Sequence, residues 1–445
     1  MGTLVCCFEH ESEFLFPGAP CGRHHHCKQR KEKMMEVLHD RVAGLDVHKQ
    51  TVVACVRSPG PGRSRRAETR EFETFIDDLE RLRDWLVAEG VTHVAMEATG
   101  IYWKPVWFVL EDVGLELLLV NARNMRMVPG RKTDVADAGW IAQLLECGLL
   151  RGSLVPPPVI RELRDLTRYR KRLVQDRTRE GQRVEKVLED AGIKLASVAS
   201  QTMSKSGRAM IDALVAGERS PIVLADLAKR RMRSKIPELQ RALVGRFGEH
   251  HAAMLRLHLA HVDHLDALIE VIDGQLDAKL APFAEDLRRA QTITGVGPTT
   301  AQVLIAEIGV DMTAFPTAGH LASWCGVCPG NNESAGKQRS GRTNPASPWL
   351  TDALVQAAWA ASRSRDTWLA ARFWRLARRI GKKKAIIATA HAIVVALWHM
   401  HTNECDYTDL GTDWWDKRSS TTTETARLKR RLEALGHRVT IEPAA

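Results

Sequence analysis

The stretch VAGLDVHKQTVVACVRS, which begins at Val42, constrains the fold more than any other part of the chain. Two runs of β-branched and apolar residues flank the polar His48, Lys49 and Gln50, the pattern of a β-hairpin whose first strand ends at Asp46. A basic turn, GPGRSRR, leads into a third short strand through Thr69 to Phe72. Apolar residues at helical spacing then predict an amphipathic helix over Phe75 to Ala88. VTHVAMEATG reads as a buried strand that ends in Glu97 before a break at Gly100. A helix through Trp103 to Leu110 and a fifth strand, LELLLV, follow, and KTDVADAGWIAQLL opens another helix.

That order, βββαβαβα, matches an RNase H-like α/β domain, in which a mixed sheet carries acids from two strands and a following helix. Side chains alternate between the two faces of a strand, so Gly44 shares a face with Asp46, and Ala95 with Glu97. Each acid follows a small residue on its own face, which lets a nucleic-acid backbone come close. Asp134 and Asp137, three residues apart, share one helix face with the apolar Ile141 and Leu144. Carboxylates along a core-facing stripe are costly unless they are paired, solvated in a cleft or bound to metal. Two readings stay open. In the first, Asp134 is an N-cap, Asp137 its capping-box partner, and Asp46 and Glu97 are turn residues. In the second, the four acids together hold a pair of Mg²⁺ ions, which take oxygen ligands and bridge substrate phosphates.

The chain has 445 residues, room for several domains, and carries a net charge of +10, which points to a polyanionic partner. No run of about twenty apolar residues suggests a bilayer span. Nine scattered cysteines and the lack of a secretory leader point to a reduced, cytoplasmic setting. We divide the chain into an N-terminal extension (1–40), expected to be poorly ordered, the α/β domain (41–155), a helical linker (156–290), a mainly α C-terminal domain (291–405) and a polar tail (406–445). The extension holds Cys21, Cys27 and the run His24 to His26, at a spacing that matches no common zinc finger.

After the VPPPV junction, Leu163, Leu166, Tyr169 and Leu173 form a helical stripe among many arginines. A long helix hairpin is expected. Its basic face suits either a nucleic-acid backbone or solvent, and its apolar face suits a coiled-coil partner. From Thr292, TITGVGPTTAQVLIAEIG places Gly295 and Gly297 between helices, as in a helix-hairpin-helix element, where backbone N–H groups can meet a DNA phosphate. A plain helix-helix turn fits the same residues. Cys325 and Cys328 form a CxxC without a second pair nearby and read as packing residues. The loop from Asn331 to Thr343 combines Ser334 and Ser340 with Gly336, Gly341, Lys337, Arg339 and Arg342, a composition suited to holding a phosphate. Leu350 to His401 reads as two helices, with Lys382 to Lys384 either on phosphate or in a solvated turn between them. A last exposed helix is expected from Thr425 to Leu435.

With GLDVHK, AMEATG, KTDVADA, the GVGP turn and CPGNNESAGKQRSGR in this order, the chain resembles the DEDD transposases of bacterial insertion sequences, the insertion-sequence one-hundred-ten family. The resemblance spans most of Val42 to His401. It implies a RuvC-like N-terminal domain, a helical linker that aids oligomerisation, and a C-terminal transposase domain with a catalytic serine. By match of motif, Asp46, Glu97, Asp134 and Asp137 take the metal-ligand positions and Ser334 the nucleophile position. The resemblance further implies a homo-oligomer in which the acids and the serine meet between protomers. Its substrates would be donor and target DNA, chosen with a structured guide RNA, and cleavage would pass through a phosphoserine link. Asn344 to Ser347 departs from the more basic stretch expected there. A metal-only nuclease of the Holliday-junction type, needing the acids but not Ser334, is the alternative enzyme. A nucleic-acid-binding protein with a decayed site is the alternative without chemistry.

Overall fold

The computed structural model describes residues 37–62, 64–121, 137–330, 332–334, 337–414 and 421–441. The Cys/His-rich part of the extension lies outside them, as does Asp134. The chain forms two compact units, Met1–Val155 and Pro156–Ala445.

In the first unit the expected hairpin is present: β1 (Val42–Val47) pairs antiparallel with β2 (Thr51–Pro59), and His48 N–H closes the turn on the Thr51 carbonyl. The third strand, β3 (Arg65–Glu73), is twice as long as its apolar signal, because only Arg65, Glu68 and Phe72 are partly buried and Phe72 alone of these is apolar. Then come α1 (Ile76–Ala88), β4 (His93–Glu97), α2 (Trp103–Leu110), β5 (Glu116–Val120) and α3 (Asp137–Glu146). A two-residue strand, β6 (Gly152–Ser153), closes the edge; it is too short to leave a pattern in the sequence. The sheet order is β3-β2-β1-β4-β5-β6, with β1, β4 and β5 mutually parallel and the other neighbours antiparallel. This mixed six-stranded sheet with helices on both faces is consistent with the α/β domain expected from the sequence.

The two faces of the sheet bury different sets. Ala43, Leu45, Val47, Val94 and Met96 pack against Leu79, Leu82 and Leu86 of α1 and Val106 and Leu110 of α2. The opposite face presents Val42, Ala95 and Val120 to Ile141, Ala142 and Leu145 of α3. Burying aliphatic side chains of this size contributes about 1.5–3 kcal/mol each, so the α3 face is a second core and not a loosely attached cover.

The second unit is helical. It opens with α4 (Pro158–Asp190), whose N-terminal proline needs no hydrogen-bond acceptor at that position. Short helices follow: α5 (Leu195–Val198), α6 (Lys205–Val215), α7 (Pro221–Asp226) and α8 (Ile236–Ala242). Then α9 (Glu249–Leu280) runs back antiparallel to α4, with Arg170 paired to Asp273 and Arg177 to Asp266. The stripe on α4 is consumed inside the chain: Leu163 and Leu173 meet Leu265, Ile272 and Leu276. Tyr169, placed on that stripe from the sequence, is 49% exposed. The buried ridge instead runs through Ile160, Leu163, Thr167 and Leu173, and Tyr169 falls on its flank.

The chain continues through α10 (Ala284–Thr292), α11 (Pro298–Ile308) and α12 (Ala318–Trp324) to a small hairpin, β7 (Asn332–Ser334) and β8 (Lys337–Ser340). Three helices follow where two were expected: α13 (Pro348–Arg363), α14 (Trp368–Ile380) and α15 (Lys382–Asn403). Only Gly381, at φ 83°, separates α14 from α15, so the break is nearly invisible in the apolar pattern. A final helix, α16, spans Thr421–Ala434.

By length and composition α15 is apolar enough to cross a membrane, although its sequence holds no unbroken apolar run of about twenty residues. Ala385, Ile386, Ala390, Ile393 and Leu397 are buried, and the helix packs on α12, α13 and α14. It is the central helix of a protein core, half covered by its own chain.

Candidate active site

The acids sit where parallel strands end. In the β1/β4 ladder Gly44 faces Ala95 and Leu45 faces Met96, so the next step along brings Asp46 and Glu97 side by side. Register partners in parallel strands project to the same face, here the face covered by α3. Both acids are partly exposed, and His48 Nε2 lies 3.1 Å from Asp46 Oδ2.

Helix α3 brings Asp137 to that face in its first turn. Its seat is unusually close. A Cβ on Gly44 would lie 2.2 Å from the Ala138 carbonyl oxygen and 2.4 Å from the Ala142 nitrogen. Ala138 directly follows Asp137, and Gly44 stands two residues before Asp46, so this contact seats the start of α3 against β1. The far end of α3 is tied by charge: Glu146, 2% exposed, pairs with Arg57 of β2 at 2.6 Å and with Arg65 of β3. No local pattern announces this triad, since Glu146 lies 89 and 81 positions from its two arginines and all three look like ordinary surface charges.

Asp46, Glu97 and Asp137 offer only carboxylate oxygens, the donor set that Mg²⁺ prefers. Among the described residues no group of three or more His, Cys, Asp or Glu side chains forms a metal-holding cluster. Asp134, the fourth acid of the motif, lies outside the described residues. The structure therefore brings together Asp46, Glu97 and the helix that carries Asp137.

In the second unit, Ser334 ends β7 and is the register partner of Lys337, the first residue of β8. Arg339 lies on β8, and Ser340 pairs with Asn332 across a register shift between Asn332 and Glu333. Gly330 N–H donates to the Arg342 carbonyl at 3.1 Å, and Pro329 bridges Thr343, which extends the ladder past the hairpin. Ser334, Lys337, Arg339 and Arg342 thus share one small antiparallel ribbon.

The two turn glycines do different things. Gly295 has φ 90°, and a Cβ there would meet the Ala357 carbonyl oxygen at 2.4 Å and the Ala361 nitrogen at 2.6 Å. It is needed to seat the α10–α11 turn on α13. Gly297 is the N-cap of α11 with open space around it, so it is the position where a phosphate could approach backbone N–H groups. Cys325 and Cys328 are free thiols; burial, and secondarily the neighbouring Cys328, pushes Cys325 well above the usual thiol range. That fits packing and not redox chemistry.

Much of the basic face of α4 is already neutralised: Arg168 pairs with Glu307 at 2.7 Å, Lys171 with Asp352 at 2.8 Å, and Arg170 and Arg177 with aspartates of α9. The cations on α14 and α15 are different. No Asp or Glu occurs between Asp366 and Glu404, while Arg378, Arg379, Lys383 and Lys384 are exposed and make no ion pair with a described residue. Lysines in the first turn of a helix also oppose its dipole. A surface that keeps such a cost is suited to a polyanion. Replacing these four by alanine should lower the slope of log affinity for duplex DNA against log salt by at least about 1, given about 0.9 per phosphate contact. An unchanged slope would remove the patch from the interface.

Comparison with known proteins adds to this geometry. An IS110-type DEDD transposase family model, described as "Transposase", matches residues 43–193. A second, described as "Transposase IS116/IS110/IS902 family", matches residues 287–374. The chain is similar to the transposase for insertion sequence element IS1111A of Coxiella burnetii, with 23% identity over 394 residues, 85% of this chain and 94% of that protein. It is also similar to the y4rJ protein of Sinorhizobium fredii, 26% identical over 334 residues, 68% of this chain and 76% of the relative. A third relative is the insertion element IS110 43.6 kDa protein of Streptomyces coelicolor, 26% identical over 274 residues, 53% of this chain and 63% of that protein. The first match takes in the acid-bearing strands and α4, the second takes in the serine hairpin, and α9 lies between them. The chain belongs to the IS110 family of transposases.

Proposed function

We propose that this transposase cuts and exchanges DNA strands with Ser334 as nucleophile and with Mg²⁺, as two ions, held by Asp46, Glu97, Asp134 and Asp137. The observation that carries the reading is the parallel β1/β4 register, which sets Asp46 beside Glu97 under the helix bearing Asp137. The same sheet order supports assigning the first unit to the RuvC-like branch of RNase H-like domains, and the α10–α11 turn to a helix-hairpin-helix-like element. When bound, the metal would polarise the scissile phosphate and stabilise the negative charge that builds on it.

The remaining chemistry belongs to the chain. The Ser334 hydroxyl oxygen forms a bond to phosphorus, the bond from phosphorus to one sugar oxygen breaks, and that oxygen leaves with a proton. The energy of the broken link stays in the phosphoserine, so a second strand's hydroxyl can reverse the step and join. Lys337, Arg339 and Arg342, on the same ribbon as Ser334, supply positive charge beside the reacting phosphate. The backbone at Gly297 receives a phosphate further along the strand.

The acids belong to one unit and the serine to the other, which suits a homo-oligomer whose protomers complete each other's site. A structured guide RNA alongside donor and target DNA agrees with the unneutralised cations of α14 and α15. A bacterial chromosome would place this work in the cytoplasm. Ser334→Ala should abolish strand exchange, a loss of at least about 10³-fold for a removed nucleophile, and Asp46→Ala should remove Mg²⁺-dependent cleavage. Normal cleavage by Ser334→Ala with activity intact in Ser340→Ala would instead favour a metal-only nuclease.

A further inference from the structure

A cavity of about 310 Å³ lies in the second unit among α4, α11 and α13, outside the serine hairpin. Its size is at the small end of ligand pockets, about 300 Å³, enough for one planar heterocycle. Its lining separates into two chemical classes. The cations are already satisfied: Arg168 by Glu307, Arg170 by Asp273, and Lys171 by Asp352. A phosphate would have to compete with three carboxylates for them. The neutral polar groups are open to a ligand: Gln175 of α4, Thr299, Thr300 and Gln302 of α11, and Gln356 of α13 make no side-chain hydrogen bond with any described residue, and Gln175, Thr299 and Gln356 face solvent.

One wall is the half-buried indole of Trp349. Lys171 and Arg172 lie 5.4 Å from its ring centroid, which orders the ring. Free amides and hydroxyls beside an ordered aromatic face suit a flat, uncharged molecule rich in donors and acceptors. Amide side chains read base edges by paired hydrogen bonds, and aromatic rings stack on base faces. Thr299 of the lining stands two residues after Gly297, where the open turn can take a backbone phosphate.

We infer that this pocket receives a single unpaired nucleobase from a strand whose backbone lies on the Gly297 turn. The inference rests on the nucleic-acid reading above and deepens it, by giving the second unit a site for an unpaired position in its substrate. Trp349 stacks on the base, Gln302 and Gln356 meet its edge, and Thr300 closes the near side. The source is either a DNA strand opened during exchange or an unpaired position in an RNA, and both present the same chemistry.

The test uses the full-length protein and fluorescein-labelled duplexes, one set DNA and one set RNA, each fully paired or carrying one extrahelical 2-aminopurine. Stacking is worth roughly tenfold or more in affinity. At least one bulged duplex should therefore bind about tenfold tighter than its paired parent, with its 2-aminopurine emission quenched. Which set shows this names the source. Both effects should disappear in Gln302→Leu/Gln356→Leu and in Trp349→Ala, while paired duplexes bind those variants as they bind the wild type. Equal binding of bulged and paired duplexes overturns the pocket and leaves the transposase reading standing. A preference that survives in both variants also overturns it. No binding of any duplex overturns both.

Discussion

Alanine at position 44 should lower DNA cleavage about a hundredfold while leaving a folded protein. The added methyl cannot be absorbed by a side chain, because the atoms it meets are the Ala138 carbonyl oxygen at 2.2 Å and the Ala142 nitrogen at 2.4 Å. Both belong to the backbone of α3, so the helix must lift or slide. Overpacking of this kind costs about 1–3 kcal/mol, a loss the α/β unit can sustain with Ile141, Ala142 and Leu145 still buried. The larger effect is on chemistry, since a displacement of about 1 Å in a catalytic group can cost 10²-fold. Single-turnover cleavage of donor DNA, paired with a thermal melt, checks both parts. Wild-type rates in Gly44→Ala would show that the seat of α3 does not set the site.

Removing the charge at the other end of α3 should act mainly on stability. Glu146 is buried between Arg57 and Arg65, whose side chains are 20% and 17% exposed. Glu146→Ala leaves both cations facing a cavity, and breaking a buried pair in this way costs about 3–5 kcal/mol. Chemical denaturation of the variant measures the loss. Cys147 is a built-in reporter: burial, and then the Glu146 carboxylate, raises its thiol, whereas Arg57 and Arg65 lower it. In Glu146→Ala the cations act alone, so Cys147 should react faster with iodoacetamide at a given pH. A stability loss below about 1 kcal/mol with unchanged Cys147 reactivity would mean that the triad does not clamp α3.

The two substitutions separate what the sequence could show from what it could not. The hairpin at Val42, the strand ending in Glu97 and α2 were legible because period-two alternation and short polar breaks are local signals. The pairing of Asp46 with Glu97 followed only once β1 and β4 proved parallel and in register, which is a long-range fact. Glycine at position 44 was legible as a small residue beside an acid. That it is the socket for α3 was not, since nothing local says which helix crosses there.

In the second unit the apolar stripe of α4 predicted a partner helix but not which one. Strong periodicity is the same whether it is met by a second chain or by α9. The basic residues of α4 looked like a nucleic-acid face, and their carboxylate partners lie on α9, α11 and α13, roughly 90 to 180 positions away. The unneutralised cations on α14 and α15 could have been found, because the sequence between Asp366 and Glu404 contains no acid at all. Ser334 stood out by composition and motif, and the backbone places it with Lys337, Arg339 and Arg342 on one ribbon.

The most direct measurement is the chemical identity of the link between protein and DNA. Full-length protein incubated with Mg²⁺ and donor DNA, quenched, digested and mapped by mass spectrometry should show a nucleotide attached through phosphate to Ser334, and none in Ser334→Ala. Cleaved DNA with no adduct, or an adduct on another residue such as Ser340, would contradict the account.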